Sequence, residues 1–155
     1  MNQLKLTHIA LFTALVAVAT MVISIPLPAV QGFINVGDSV ILLVGLLFGP
    51  LVAGVAGGFG SALADLLLGY AHWAPWTLVI KGLEGVIIGY LASKPMIGLP
   101  LAAIWMVFGY FIAASFFYGI APALTTIPGD LLQGFASVLI AWILYPQLRK
   151  RLKVK

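Results

Sequence analysis

The chain contains no cysteine, only four acidic residues and eight lysines and arginines among its 155 residues. Without cysteine there are no disulfides, no thiolate nucleophile and no Cys-ligated metal site. The scarcity of charge excludes more. Charged residues make up 8% of the chain and hydrophobic ones 63%, whereas a soluble domain carries about a quarter charged residues. With a mean hydropathy of +1.16, such a chain has no polar coat to offer water and reads as an integral membrane protein. Enzyme signatures are also missing. There is no Gly-rich phosphate loop ending in Lys-Ser or Lys-Thr, no His-Glu-x-x-His and no Gly-x-Ser-x-Gly elbow. The chain is therefore expected neither to hydrolyse ATP nor to catalyse a reaction, and no cofactor or metal is expected.

A bilayer asks for roughly 20 apolar residues per helical span. The expected architecture is a single all-α membrane domain, 1–155, of six transmembrane helices with short inner turns and longer outer loops. The first helix, Leu6–Ile25, is too long for the apolar core of a signal peptide and is closed by Pro26 and Pro28. An outer loop to Asp38 leads to a short second helix, Ser39–Phe48, extended by a partly ordered or re-entrant loop. Gly49 and Pro50 turn the chain into a third helix, Leu51–Leu68. The loop Gly69–Pro75 precedes a fourth, Trp76 to about Leu91, and Ser93–Pro95 turns into a fifth, about Ile97–Tyr118. The loop Gly119–Gly129 leads to the sixth, Asp130–Tyr145, and a basic tail from 147 to 155.

Threaded in this way, every acid (Asp38, Asp65, Glu84, Asp130) falls near one side. Every base but Lys81 falls near the other: Lys5, Lys94, Arg149, Lys150, Arg151, Lys153 and Lys155. The positive-inside bias makes the basic side cytoplasmic, with both termini there. The tail then reads as a cytoplasmic anchor obeying that bias, beside membrane lipid, and not as a nucleic-acid contact.

Ionisable groups inside spans are costly and usually functional. Lys81 and Glu84 lie three apart on one helix face, either as a self-satisfied ion pair or as ligand contacts. Asp65 ends a helix, where the dipole disfavours an anion, so it needs a cation, and Lys81 is the expected partner. Asp130 follows Pro128–Gly129 and reads as a helix N-cap. Asp38, after Asn35, is a cap or a ligand contact. Tyr70, His72, Trp73 and Trp76 form either an interfacial aromatic belt or a stacking wall for a flat ring. Tyr118, at the end of the fifth helix, joins them. His8 reads as incidental. Small residues four apart on the third helix, such as Gly54 and Gly58, point to close packing inside the bundle. Ala10, Ala14 and Ala17 give the first helix a small-residue face that either packs internally or docks another membrane subunit.

The segments Ile34–Leu43 (INVGDSVILL), Leu47–Tyr70 (LFGPLVAGVAGGFGSALADLLLGY) and Ala74–Gly85 (APWTLVIKGLEG) resemble the substrate-binding S components of energy-coupling factor vitamin transporters. The nearest resemblance is to the hydroxymethylpyrimidine or pyridoxine group, related to the riboflavin S components. It spans nearly the whole chain and is most specific from Asn35 to Gly85. It implies capture of a vitamin at the outer face, then docking on a transmembrane coupling subunit that works with two ATPases. It also implies that Ala10 and Ala14 match the family's docking motif. The ligand contacts expected on this basis are Asn35, Asp38, Asp65, Tyr70, His72, Trp73, Trp76, Lys81, Glu84, Tyr118 and Asp130. Two other classes compete: a self-sufficient secondary transporter using Asp65, Lys81 and Glu84 as a relay, and a structural subunit whose charges only pair. The one-sided placement of the acids argues against a relay from face to face.

Overall fold

The structure, a computed structural model, describes residues 3–27 and 30–152. Expectations placed on Pro28, on the Lys5 side chain and on Lys153 and Lys155 lie outside the described residues. Six helices follow in order: α1 (Gln3–Val22), α2 (Gly37–Phe48), α3 (Pro50–Leu67), α4 (Ala74–Tyr90), α5 (Pro95–Tyr118) and α6 (Ile120–Leu152). Their boundaries follow from glycine and proline. Gly49, Gly69 and Gly119 have φ near +85°, a backbone that side-chain-bearing residues rarely adopt. Pro50, Pro75 and Pro95 stand in the first turns of α3, α4 and α5, where a missing N–H costs nothing.

The all-α expectation needs one correction. Between α1 and α2, β1 (Ser24–Leu27) and β2 (Gly32–Asn35) pair antiparallel, with Ser24 opposite Asn35 and Leu27 opposite Gly32. The cause is local. Main-chain amides near a membrane must find partners, and a hairpin satisfies them where α2, only 12 residues long, cannot reach. The hairpin takes the place of the irregular or re-entrant segment expected beside α2.

The second correction concerns α6. Its first ten residues occupy the expected Gly119–Gly129 loop, so the helix runs for 33 residues, about 50 Å at 1.5 Å per residue. Pro122 sits in the first turn, where no intrahelical donor is needed. Pro128 lies inside the helix. In the turn before it, the hydroxyls of Thr125 and Thr126 donate to the carbonyls of Pro122 and Ala123 at 2.7 and 3.0 Å. Asp130 is consequently in mid-helix and caps nothing. By length and composition, α3, α5 and α6 can each cross a membrane, while Leu6–Val22 and α2 are shorter apolar helices.

Glycines set the packing of α3 on α4, the closest helix pair. A Cβ on Gly58 would stand 2.7 Å from the Leu78 carbonyl oxygen, and one on Gly85 would stand 2.4 Å from that of Ala53. The small-residue pattern of the third helix therefore serves close backbone approach within the bundle. One consequence is that Lys81 and Glu84, on α4, are carried into the interior instead of facing lipid. Apolar clusters lie on either side of them. One, at the hairpin end, includes Val30, Trp73, Ile80, Met106 and Ala123. The other includes Leu42, Leu46, Ile88, Leu99 and Ala141.

Gly85→Val is expected to destabilise the bundle by about 1–3 kcal/mol through overpacking. Gly82→Ala, whose added Cβ would meet nothing nearer than 3.5 Å, should be close to neutral. Thermal unfolding of the two variants in detergent checks this contrast.

Candidate functional site: a roofed polar cavity at the hairpin end

All four carboxylic side chains of the chain, Asp38, Asp65, Glu84 and Asp130, are buried, and Lys81 is buried among them. The lysine pairs with Asp38 of α2 and, at 3.3 Å, with Glu84 one turn along its own helix. Its ammonium also stands 5.3 Å from the centroid of the Tyr110 ring on α5, within cation–π range. Asp38 accepts a second bond, at 2.8 Å, from Nε2 of Gln133 on α6. The amide oxygen of the same Gln133 accepts from the Asn35 N–H at 2.7 Å. One glutamine thus ties the hairpin, α6 and the ion cluster together.

Above this floor lies a cavity lined by Thr20, Ser61, Asp65, Thr77, Lys81, Tyr110, Thr126, Asp130 and Gln133. The hairpin roofs it with Leu27, Gly32, Phe33 and Asn35, and Trp73 and Val30 close the side. The roof is fastened where the Trp73 indole donates to the main-chain carbonyl of Gln31 at 3.1 Å. A concave pocket with apolar walls and a few convergent polar groups is the usual form of a small-molecule site. Two of its polar atoms are buried with no hydrogen-bond partner among the described residues: Oδ2 of Asp65 and Oγ1 of Thr20.

Of the residues expected from sequence, Asn35, Asp65, Trp73, Lys81 and Asp130 line the cavity. Asp38 and Glu84 do not line it; they hold Lys81 from behind. Lys81 is not the partner of Asp65, because those two carboxylates already occupy it. Tyr70, His72, Trp76 and Tyr118 also stand off the wall. Tyr70 packs on Phe33 with centroids 5.0 Å apart, and Trp76 packs on Phe116 and Phe117. The ring of His72 shares an exposed 2.8 Å hydrogen bond with the Tyr118 hydroxyl. These rings build an aromatic outer layer that supports Trp73, and Trp73 alone of the group reaches the cavity. On α1, Ala10 and Ala14 are exposed, whereas Ala17 is 3% exposed and is turned into the bundle, off any docking face.

Thr20, Ser61, Thr77, Tyr110, Thr126 and Gln133 were not anticipated. A signal for three of them exists. Ser61 and Asp65, Thr77 and Lys81, and Thr126 and Asp130 are polar pairs four apart in apolar helices, the spacing that shares one face.

A bundle of apolar helices around a roofed polar cavity defines a membrane-embedded protein built to hold a small molecule. Residues 1–150 match the family described as "ECF-type riboflavin transporter, S component", and the chain belongs to that family of energy-coupling factor transporters. It is 46% identical over 143 residues, covering 88% of this chain and 96% of the relative, to an uncharacterised protein of Pyrococcus woesei. It is 30% identical over 150 residues, 96% of this chain and 90% of the relative, to the thiamine precursor transporter HmpT of Lactococcus lactis. A shorter likeness, 34% over 67 residues and 43% of this chain, links it to a UPF0397 protein of Streptococcus pneumoniae, of which it covers 36%. The chain is thus a membrane transport subunit, not an enzyme, and its family works with an energy-coupling module.

Lys81→Met leaves Asp38 and Glu84 as uncompensated buried charges and should cost about 3–5 kcal/mol. Adding Asp38→Asn and Glu84→Gln to the same chain should restore most of that loss in a thermal melt.

Proposed function

We propose that this S component captures a small heteroaromatic vitamin or vitamin precursor, of the hydroxymethylpyrimidine or pyridoxine type, in the roofed cavity. The observation that carries this reading is the cavity itself, with unpartnered buried polar atoms facing a pocket whose roof is a hairpin. Such atoms are costly unless something satisfies them, and a ring bearing hydroxyl or amino groups does so while its faces meet Trp73 and Phe33. The name of the HmpT relative supports a thiamine precursor. The family's name favours a second reading, riboflavin.

In this proposal the chain makes six passes of the bilayer, the second completed by the hairpin beside the short α2, the hairpin end faces outward, and both termini lie in the cytoplasm beside the basic end of α6. The loaded protein docks through the exposed Ala10 and Ala14 on a transmembrane coupling subunit, and two partner ATPases supply the energy. The absence of a phosphate loop from this chain agrees with that division of labour.

Mass spectrometry of the small molecules that copurify with the detergent-solubilised protein is the direct test. Calorimetric titration with hydroxymethylpyrimidine, pyridoxine, riboflavin and thiamine follows it. One of the first two should bind at least tenfold more tightly than the others. Binding of none of the four, with nothing copurifying, removes the vitamin reading. Ala14→Trp should abolish uptake in cells that express the coupling module while leaving binding by the purified protein unchanged. Normal uptake by that variant removes the docking assignment.

A further inference from the structure

The cavity holds an imbalance of charge that bears on what can enter it. Four buried carboxyl groups share a single buried ammonium, and that ammonium is already held by Asp38 and Glu84. Among the described residues Lys81 is the only basic side chain on the cavity wall, and the two carboxyls that line the cavity, Asp65 and Asp130, have no cationic partner. Oδ2 of Asp130 stands 2.9 Å from the Thr126 hydroxyl, whose single hydrogen it shares with the Ala123 carbonyl. Asp65 is 4% exposed, and its Oδ2 has no hydrogen-bond partner among the described residues. A carboxyl oxygen is an acceptor awaiting a donor, and a buried one left unpaired is costly.

We infer that Asp65, assisted by Asp130, selects ligands that present N–H donors or positive charge, and that the cavity rejects phosphorylated and other anionic forms. The inference rests on the reading of this cavity as the vitamin site and narrows it. A ring with an exocyclic amino group can donate to Asp65 and also offset the surplus of carboxyl groups. A phosphate ester would meet two carboxyls and a lysine whose charge is already offset by Asp38 and Glu84. Of the two ring types proposed above, only the aminopyrimidine carries an exocyclic N–H donor; pyridoxine would meet Asp65 with a hydroxyl in its place. Selection of this kind is steep, because an analogue lacking the donor leaves the buried acceptor unpaired.

The test is calorimetric titration of the purified full chain with four probes. These are 4-amino-5-hydroxymethyl-2-methylpyrimidine, the same ring without its amino group, its phosphate ester, and riboflavin. On the wild-type protein, loss of the amino group should weaken binding by roughly 100-fold or more, and the phosphate ester should bind at least as poorly. Asp65→Asn should weaken the aminated ring by roughly 10- to 100-fold while changing the unaminated ring little. Equal binding of aminated and unaminated rings, or tight binding of the phosphate ester, overturns the inference. Tight riboflavin binding in place of the aminopyrimidine also overturns it, yet leaves vitamin capture standing. Failure of every probe to bind overturns the inference, and vitamin capture falls with it only if pyridoxine and thiamine also fail to bind and nothing copurifies. The wild-type comparison decides the matter even if Asp65→Asn does not fold.

Discussion

The buried lysine is the constraint around which the rest of the molecule is arranged. An ammonium in the middle of an apolar bundle is tolerated only when paired and hydrogen-bonded, and Lys81 draws its partners from separate elements. Asp38 comes from the start of α2, Glu84 from the next turn of α4 and the Tyr110 ring from α5. Gln133 then brings in α6 and, through Asn35, the hairpin. Few other contacts in the chain join so many elements at one point. Buried ion pairs are weak evidence for stability as such; here the cluster fixes the mutual placement of the cavity walls.

That placement depends in turn on the glycines of α3 and α4. Were the two helices spaced by ordinary side chains, α4 would stand further from the bundle centre and its charged stripe would have to face lipid or unpaired backbone. Gly57 makes the link direct, since a Cβ there would stand 2.9 Å from the carbonyl oxygen of Lys81 itself. Close helix contact and a polar interior are therefore one design. The small residues remove bulk between the helices, and the charged residues use the position so gained.

Much of this was legible in the residues. Composition alone required a membrane protein, and the glycine–proline pairs marked most helix boundaries. Lys81, as the one base among the acids, pointed to the centre of the site. The errors have identifiable causes. In sequence Pro122 and Pro128 signal a loop, yet one lies in the first turn of α6 and the other inside it, which hides Thr126 and makes Asp130 look like a cap. The hairpin was invisible because Ser24–Asn35 alternates too weakly to outweigh its prolines and glycine. Its pairing is imposed by unsatisfied main-chain groups rather than by side-chain pattern. The aromatic residues after α3 were weighed as a group, although only Trp73 points inward. Sequence spacing does not say which ring of a short loop will turn toward a cavity.

The fastening of the roof has a consequence for how such a protein can diversify. Trp73 grips the hairpin by a main-chain carbonyl, that of Gln31, so the clasp does not depend on which side chain stands at that position. Residue 31 does carry a constraint of another sort, a φ of +44°, which is easiest for glycine, asparagine or aspartate. Around that one conformational demand, the neighbouring hairpin residues are free to change size and polarity without unfastening the lid. Evolution could therefore retune the ceiling of the cavity to a new cargo while the floor, bound up in the ion cluster, stays as it is.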